Sequence, residues 1–522
     1  MPQNVCTILR NGTVVDGTGA PQFAGDVLIR DDRIVSVGDL GKTTSASIAT
    51  AKTRVLDCTG CIVAPGFIDA HSHSDLQVLD NRTEKLLQGV TTEVVGNCGF
   101  SAYPMPHDPS VLREFANGIF CGDDNWGWDS ASDYLASASQ SRTATVTSLV
   151  GHGSLRIKVT GNTSRTLTQR ELDTMSGLLD EQLQQGAAGF SSGLMYAPGS
   201  GASLDELVAL CSVVARRDGV YATHMRSYSE KLVEAVEEQI EIAEASGCRL
   251  QISHLQAAGP DNWPLQQYAV DAIEQASASG VDVAFDVYPW LAGSTVLTQV
   301  LPQTALDGGI PQLLLRLRDP AARESIRIRI KPGTAWSGVV IVATADNSDS
   351  LVGKSIQEIA DKRGCDPGSA VLDVLLEQQG SVNIVQHAQS SENLHALLAH
   401  PLAMVVTDGV YTHGRSHPRL YGTFPVLLGE MVRERKWLSV EEAVYKVTGK
   451  PAETFHLRGR GRVAEGYVAD LVVFDPETVR SDASYDVPAV APIGIKVVLR
   501  NGKVIVDADS NDKLCVYEQK WS

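Results

Sequence analysis

Several side chains able to bind a divalent cation recur at comparable places along the chain. The run APGFID closes on His71-Ser72-His73. Residues i and i+2 of a strand face the same side, so both imidazoles are expected to point into one place. TTEVVGNCG then closes near Cys98, GVYATH on His224, CRLQISH on His254 and LAMVVTD on Asp408. Imidazole nitrogen, thiolate sulfur and carboxylate oxygen are the ligand types of zinc, and a catalytic site leaves one position open for water. A lone histidine at a strand end, or a lone buried cysteine, is ordinarily structural. The recurrence of such residues at the ends of five runs is what points to a metal centre. His152 closes a further run, ATVTSLVGHG, and is expected either to donate a hydrogen bond to substrate or to support the site from behind. Cys58 and Cys61 form a CxxC without a second pair and read as structural. His387, His395, His400 and His456 fall outside the pattern and read as non-catalytic.

The elements that must position these groups are eight apolar runs alternating with amphipathic segments such as Ser203 to Asp218 and Lys231 to Ser246. Strand then helix, repeated, predicts an α/β fold, a (β/α)8 TIM-like barrel whose C-terminal strand ends converge at one mouth. No G-x-G-x-x-G follows the first strand, which argues against a dinucleotide fold. The interval between the seventh and eighth runs is too long for one crossover and predicts an insertion at about 295–345 covering the active site. Short Val/Ile/Leu runs near both termini carry NG and DG pairs, including LRNG at Leu9 to Gly12 and again at Leu499 to Gly502, and read as hairpins. Each terminal piece is too small to bury a core alone. The expectation is a small β-sandwich domain built from 1–64 plus 459–522, around a barrel spanning 65–458.

Composition narrows the function classes. The 522 residues include 62 Asp and Glu against 44 Lys and Arg, a net charge of −18, which disfavours nucleic acid and anionic membranes as partners. A small-molecule substrate is expected, and no oligomeric interface can be read. The N-terminus lacks a basic stretch followed by an apolar one, and no run is long and apolar enough to span a membrane. Nine cysteines are sparse for this length, which fits a reducing, cytoplasmic location.

The phrases GNCG, LVGHGSLR, GAAGFSSGLMYAPG, ATHMR, ISHL, DVYPW and HPRLYGTFP occur in that order between about Ala64 and Gly429. With the opening APGFIDAHSHSD, they resemble the N-acyl-D-amino-acid deacylases (D-aminoacylases) of the amidohydrolase superfamily. The resemblance implies a zinc-dependent hydrolase of linear amides. It implies one tightly held Zn2+ on Cys98, His224 and His254, and a weaker second site on His71, His73, Cys98 and Asp408. Related two-metal barrels often bridge their ions with a carboxylated lysine on the fourth strand; AAGFSSGL has none, so the Cys98 thiolate is the expected bridge. The metal would lower the pKa of water, with Asp408 taking the proton and returning it to the leaving nitrogen. Arg419 and Tyr288, with Ser294 nearby, would hold the substrate carboxylate, and Tyr196 would line the same pocket. Gln256 stands where the family commonly has Lys, and Trp290 where Tyr is more usual, which bears on substrate identity. The ligand set alone would equally allow hydrolysis of another C–N bond, in a cyclic amide, a hydantoin-like ring or a dipeptide. A non-enzymatic assembly protein on the same scaffold is disfavoured, because all six candidate ligands are kept.

Overall fold

The computed structural model describes residues 5–41, 52–122, 125–330, 333–348 and 350–508. The outer stretches of the expected terminal domain, Cys515 among them, and positions 331–332 of the expected insertion lie outside the described residues.

Each of the eight apolar runs contains a strand of one parallel sheet. In chain order these are Phe67–Asp69, Val90–Val95, Thr145–Gly151, Gly189–Gly193, Val220–His224, Arg249–Ile252, Val283–Val287 and Ala403–Val405, and they pair in that same order. A parallel bridge between Ser72 and Gly409 joins the last strand to the first and closes the barrel. Ala70, Val94, Leu149, Val220, Ala222, Ala284 and Met404 touch one another as a buried cluster. Residues from strands all around a sheet can meet in this way only inside a closed barrel. Amphipathic helices such as Leu204–Arg216, capped by Ser203, and Leu232–Ser246 lie between the strands. A wide outer cluster that includes Leu207, Leu210, Val236 and Ile242 packs them onto the barrel.

Strands from both termini form a second, mostly antiparallel sheet of eight strands, as a small sandwich domain requires. Ile62–Pro65 pairs in parallel with Val5–Val14 on one side and antiparallel with Leu471–Phe474 on the other, so the chain ends meet strand to strand. Their shared core includes Leu9, Val27, Val63, Leu471 and Leu499. The two LRNG phrases diverge. Asn501 and Gly502 turn a hairpin between Ile495–Arg500 and Lys503–Asp507. Asn11 and Gly12, expected to do the same, instead sit inside Val5–Val14 at a register shift. A Cβ at Gly12 would lie 2.7 Å from the Val63 side chain, so the glycine lets two strands approach rather than turning the chain.

Between the seventh and eighth barrel strands lies a three-stranded antiparallel sheet, Ala292–Val296 against Val382–His387 against Val339–Thr344. This unit runs on past residue 345 to His387. It has its own apolar core, with Leu313, Leu317, Ile341, Val371 and Ile384. Its first strand stands over the mouth of the barrel.

Candidate active site

The C-terminal strand ends meet as the barrel geometry requires. Cys98 Sγ lies 3.3 Å from His71 Nε2 and 3.5 Å from His254 Nε2. Asp408 Oδ1 lies 3.3 Å from His73 Nε2 and 3.5 Å from His71 Nε2. His71, Cys98 and His254 thus form one group able to hold an ion, and His71, His73 and Asp408 another. The division differs from the one the resemblance implies, because His71 stands between the two groups beside Cys98. His224 packs its ring on His254, with centroids 4.6 Å apart.

Local backbone brings these ligands inward. Cys98, His254 and Asp408 each have positive φ, at 54°, 35° and 47°. Non-glycine residues rarely adopt this region, and it persists only where the surroundings impose it. At Cys98 the turn is crowded as well. A Cβ on Gly193 would fall 2.0 Å from the Cys98 carbonyl oxygen, and one on Gly99 2.7 Å from the Gly193 nitrogen. The glycines of GNCG and SSGL therefore allow two strand ends to touch where the thiol enters.

The residues present fit a metal ion. Both ring nitrogens of His224 are shielded from solvent and make no hydrogen bond, as is Nδ1 of His73 and of His254. Orphaned buried polar atoms are uncommon and call for an explanation, which a cation at the imidazole lone pairs supplies. Burial together with the neighbouring His254 charge holds His224 well below the ordinary histidine range, so it offers a neutral imidazole. Burial alone would push the Cys98 thiol up, but the His71 charge and the hydrogen bonds from His254 and His71 lower it. The thiolate form, which binds metal, is thereby favoured.

Asp286 was not singled out in the sequence, yet it orients two ligands. Its Oδ1 accepts the His254 backbone N–H at 2.6 Å and lies 3.4 Å from His71 Nδ1, while Oδ2 accepts from Gln251 at 2.8 Å. A carboxylate partner on the far nitrogen of a ligating histidine fixes its tautomer and ring orientation. The signal in the sequence is an acid inside the otherwise apolar VAFDV.

A cavity of about 480 Å³ opens over the ligands and is lined by His73, Cys98, His224, His254, Asp408 and Arg419 from the barrel side. Tyr196, Gln256 and Tyr288 line it too, as do Gly293, Ser294 and Thr295 of the insertion's first strand. Arg419 is buried, with Nη1 2.8 Å from Asp408 Oδ2, its guanidinium over the Tyr288 ring at 4.6 Å and Nη2 donating to the Ser294 carbonyl at 3.4 Å. His417, two residues before it, accepts the Arg419 backbone N–H and reaches the Ala292 carbonyl, each at 2.9 Å. The Tyr288 hydroxyl meets Gln256 Nε2 at 3.3 Å and Gln389 Nε2 at 3.0 Å. Tyr196 Oη lies 3.4 Å from Thr295 Oγ1.

His152 is not among the residues that line this cavity, which favours the second of the two roles expected of it, support from behind. Its Nε2 lies 2.8 Å from Glu206 Oε1, and Arg156 Nη1 donates to both oxygens of Glu206 at 2.7 Å. It is a buried partner in a polar network between the helix His152–Thr160 and the helix Leu204–Arg216. His387, placed outside the pattern, does line the cavity, whereas His395, His400 and His456 do not. Trp290 also stays out of the lining and donates Nε1 to Thr423 at 3.2 Å.

The sequence profile of the amidohydrolase family matches residues 54–506. A D-aminoacylase from Alcaligenes xylosoxydans is 35% identical, over 95% of this chain and 93% of that protein. An N-acyl-D-glutamate deacylase from the same organism is 34% identical, over 96% and 94%. The crystal structure of N-acyl-D-glutamate deacylase from Bordetella bronchiseptica, complexed with zinc and a phosphonate mimic of the tetrahedral intermediate, superposes with TM-score 0.81 at 32% identity, covering 97% of this chain and 98% of that one. A D-aminoacylase structure with a binuclear metal centre superposes with TM-score 0.80 at 34% identity, covering 97% of each chain. The ligand cluster, the fold and these relatives together make this chain a member of the amidohydrolase family, in the group that holds the D-aminoacylases.

Proposed function

We propose that this protein is a zinc-dependent deacylase that hydrolyses the amide bond of N-acyl-D-amino acids to a carboxylic acid and a free amine. The observation that carries the reading is the seating of Arg419 beside Asp408 and the ligand cluster in one cavity. A group that grips a carboxylate thus stands next to a group that moves a proton. Cys98, His224 and His254 would hold the tight ion, and His71, His73, Cys98 and Asp408 a weaker second one. His71 stands close enough to Cys98 to serve either. When bound, zinc would supply Lewis acidity toward the amide carbonyl and acidify water at neutral pH.

The chain's own residues account for the rest. Asp408 accepts a proton from the attacking water at its carboxylate and returns it to the amide nitrogen, which cannot leave as an anion. Arg419 offers a planar fork for the substrate carboxylate, stacked on Tyr288 so that it does not swing. The Tyr288 hydroxyl, held by Gln256 and Gln389, completes that end of the pocket, while Tyr196 and Ser294 wall it. The open-chain reading is preferred over a cyclic amide because a hydantoin-like ring has no free carboxylate for Arg419. Eight free cysteines among the described residues support a reducing cytoplasmic setting. No helix among the described residues is long and apolar enough to cross a membrane.

The test is a panel of N-acyl-D-amino acids, N-acyl-L-amino acids and cyclic imides, assayed with zinc added and then chelated. Zinc-dependent turnover of the D-series is expected. Preference for the cyclic imides, or activity indifferent to chelation, would overturn the reading.

A further inference from the structure

Beneath the ligand cluster lies a buried charge network in which the proposed reaction gives no part. Lys85, 2% exposed, directs Nζ to Ser72 Oγ at 2.6 Å, Asp69 Oδ2 at 2.7 Å and Glu93 Oε2 at 3.0 Å. Burial acts against the ammonium, but the Asp69 and Glu93 carboxylates outweigh it and hold Lys85 above the ordinary lysine range, so it is charged. Taking one cation and two carboxylates out of water is costly unless each is paired with good geometry. Balancing its two acids would explain the lysine alone. What its partners hold in turn points further.

Asp69 and Ser72 flank His71. Asp69 Oδ1 accepts the Thr407 backbone N–H at 2.9 Å, and Oδ2 accepts the Thr407 hydroxyl at 2.6 Å. The same hydroxyl oxygen accepts the Gly409 N–H at 3.0 Å. Asp408 is thus gripped on both sides at its positive-φ position. Ser72 forms the bridge with Gly409 that closes the barrel, and Asp408 N–H donates to the His71 carbonyl at 2.9 Å. A Cβ on Gly409 would fall 3.3 Å from Lys85 Cε, so the lysine stem runs directly under this seam. The first and eighth strands have no ladder of their own here beyond that bridge, and they carry His71, His73 and Asp408.

We propose that Lys85 is a positioning residue: by fixing Asp69 and Ser72 it sets His71, His73 and Asp408 at the seam where the first and last barrel strands join. It acts through Thr407 on the proton carrier and through Ser72 on the two histidines. Cys98, His224 and His254 lie on other strand ends and are predicted to keep their places without it.

The test compares wild type, Lys85→Met and Thr407→Val. Thr407→Val is nearly isosteric and removes only the hydroxyl, so it decides the matter if Lys85→Met does not fold. Each protein is titrated with Cd2+, following the thiolate-to-metal absorption of Cys98 and the metal content per chain, and kcat and KM are measured on an N-acyl-D-amino acid. Both variants should keep the thiolate band while the weaker metal step shifts and kcat falls, each by roughly 10–100-fold, as for partners that orient metal ligands. KM should barely move. Unchanged metal steps with unchanged kcat in folded Thr407→Val, or loss of the thiolate band together with the weaker step, would overturn the proposal. The activity arm rests on the deacylase reading and the metal arm does not. Wild type that fails to turn over the substrate refutes that reading and leaves the titration to judge Lys85.

Discussion

Arg419 Nη1 lies 2.8 Å from Oδ2 of Asp408, so the cation expected to grip the substrate carboxylate already holds the carboxylate expected to carry the proton. A guanidinium has five donors, and here Nε is without a hydrogen-bond partner while Nη2 makes only the 3.4 Å contact to Ser294. One side of the fork meets Asp408, and the rest is left for the carboxylate grip proposed for it. Burial would raise the Asp408 carboxyl, but Arg419 foremost, then His71 and His73, hold it well below the usual carboxylate range. The carboxylate form, which a proton acceptor requires, is thereby favoured.

Arg419→Met should therefore lose both substrate grip and the partner of Asp408. Truncating one member of a buried ion pair costs about 2–5 kcal/mol, which predicts a fall in kcat/KM of at least roughly thirtyfold. Steady-state kinetics on an N-acyl-D-amino acid and on its carboxamide will show it. Discrimination between the two should collapse in the variant, and a wild-type ratio would remove Arg419 from carboxylate binding.

Asp408→Asn keeps the shape of the side chain and removes its proton-accepting charge. Loss of a positioned acid–base group typically costs about 10²–10⁴ in rate. Turnover should fall by that order with a thermal transition close to wild type. Near-normal turnover would take Asp408 out of the central role.

Gln256 lines the cavity 3.3 Å from the Tyr288 hydroxyl. Gln256→Lys would place a second cation beside the carboxylate end and should lower KM for N-acetyl-D-amino acids. A higher KM, or no change, counts against carboxylate binding at that end of the cavity.

Cys58 is buried in the terminal domain, and burial pushes its thiol up to about 12. At pH 8 only about one molecule in ten thousand would carry the reactive thiolate. Mass spectrometry after iodoacetamide treatment of the folded protein should find Cys58 unmodified, and modified after denaturation. Rapid labelling in the folded state would contradict this.

The barrel was legible because each strand announces itself twice, by an apolar run and by the polar residue that ends it. Five such endings carry the candidate ligands: His71, His73, Cys98, His254 and Asp408 fall into the two groups able to hold an ion, and His224 packs on His254 beside them. At His152, which also ends a run, of the two roles expected the structure favours support from behind, since its ring meets Glu206, itself held by Arg156. Residues that support ligands from behind leave weaker traces. Asp286 stands out as an acid in an apolar strand, whereas Lys85 in TEKLLQG looks like any lysine on a solvated helix. Its burial comes from the flanking first and second barrel strands, which bring Asp69 and Glu93 to it, and from the distant end of the eighth at Gly409. Gln389 was likewise invisible, and His417 showed only as part of HPRLYGTFP, because their partners Tyr288 and Ala292 lie far away in the sequence.

What the sequence determined by itself is the type of chemistry: strand periodicity fixes which side chains end the strands, and their ligand types limit what those ends can bind. Only the tertiary structure decided which ligands are neighbours, that Arg419 leans on Asp408, and that one LRNG is a hairpin and the other a bulge. Those outcomes depend on contacts between segments hundreds of residues apart, such as Asp69 with Thr407 and Ile62–Pro65 with Leu471–Phe474. Local pattern carries no record of such contacts, because closing the barrel, not propensity, sets the distances across its mouth.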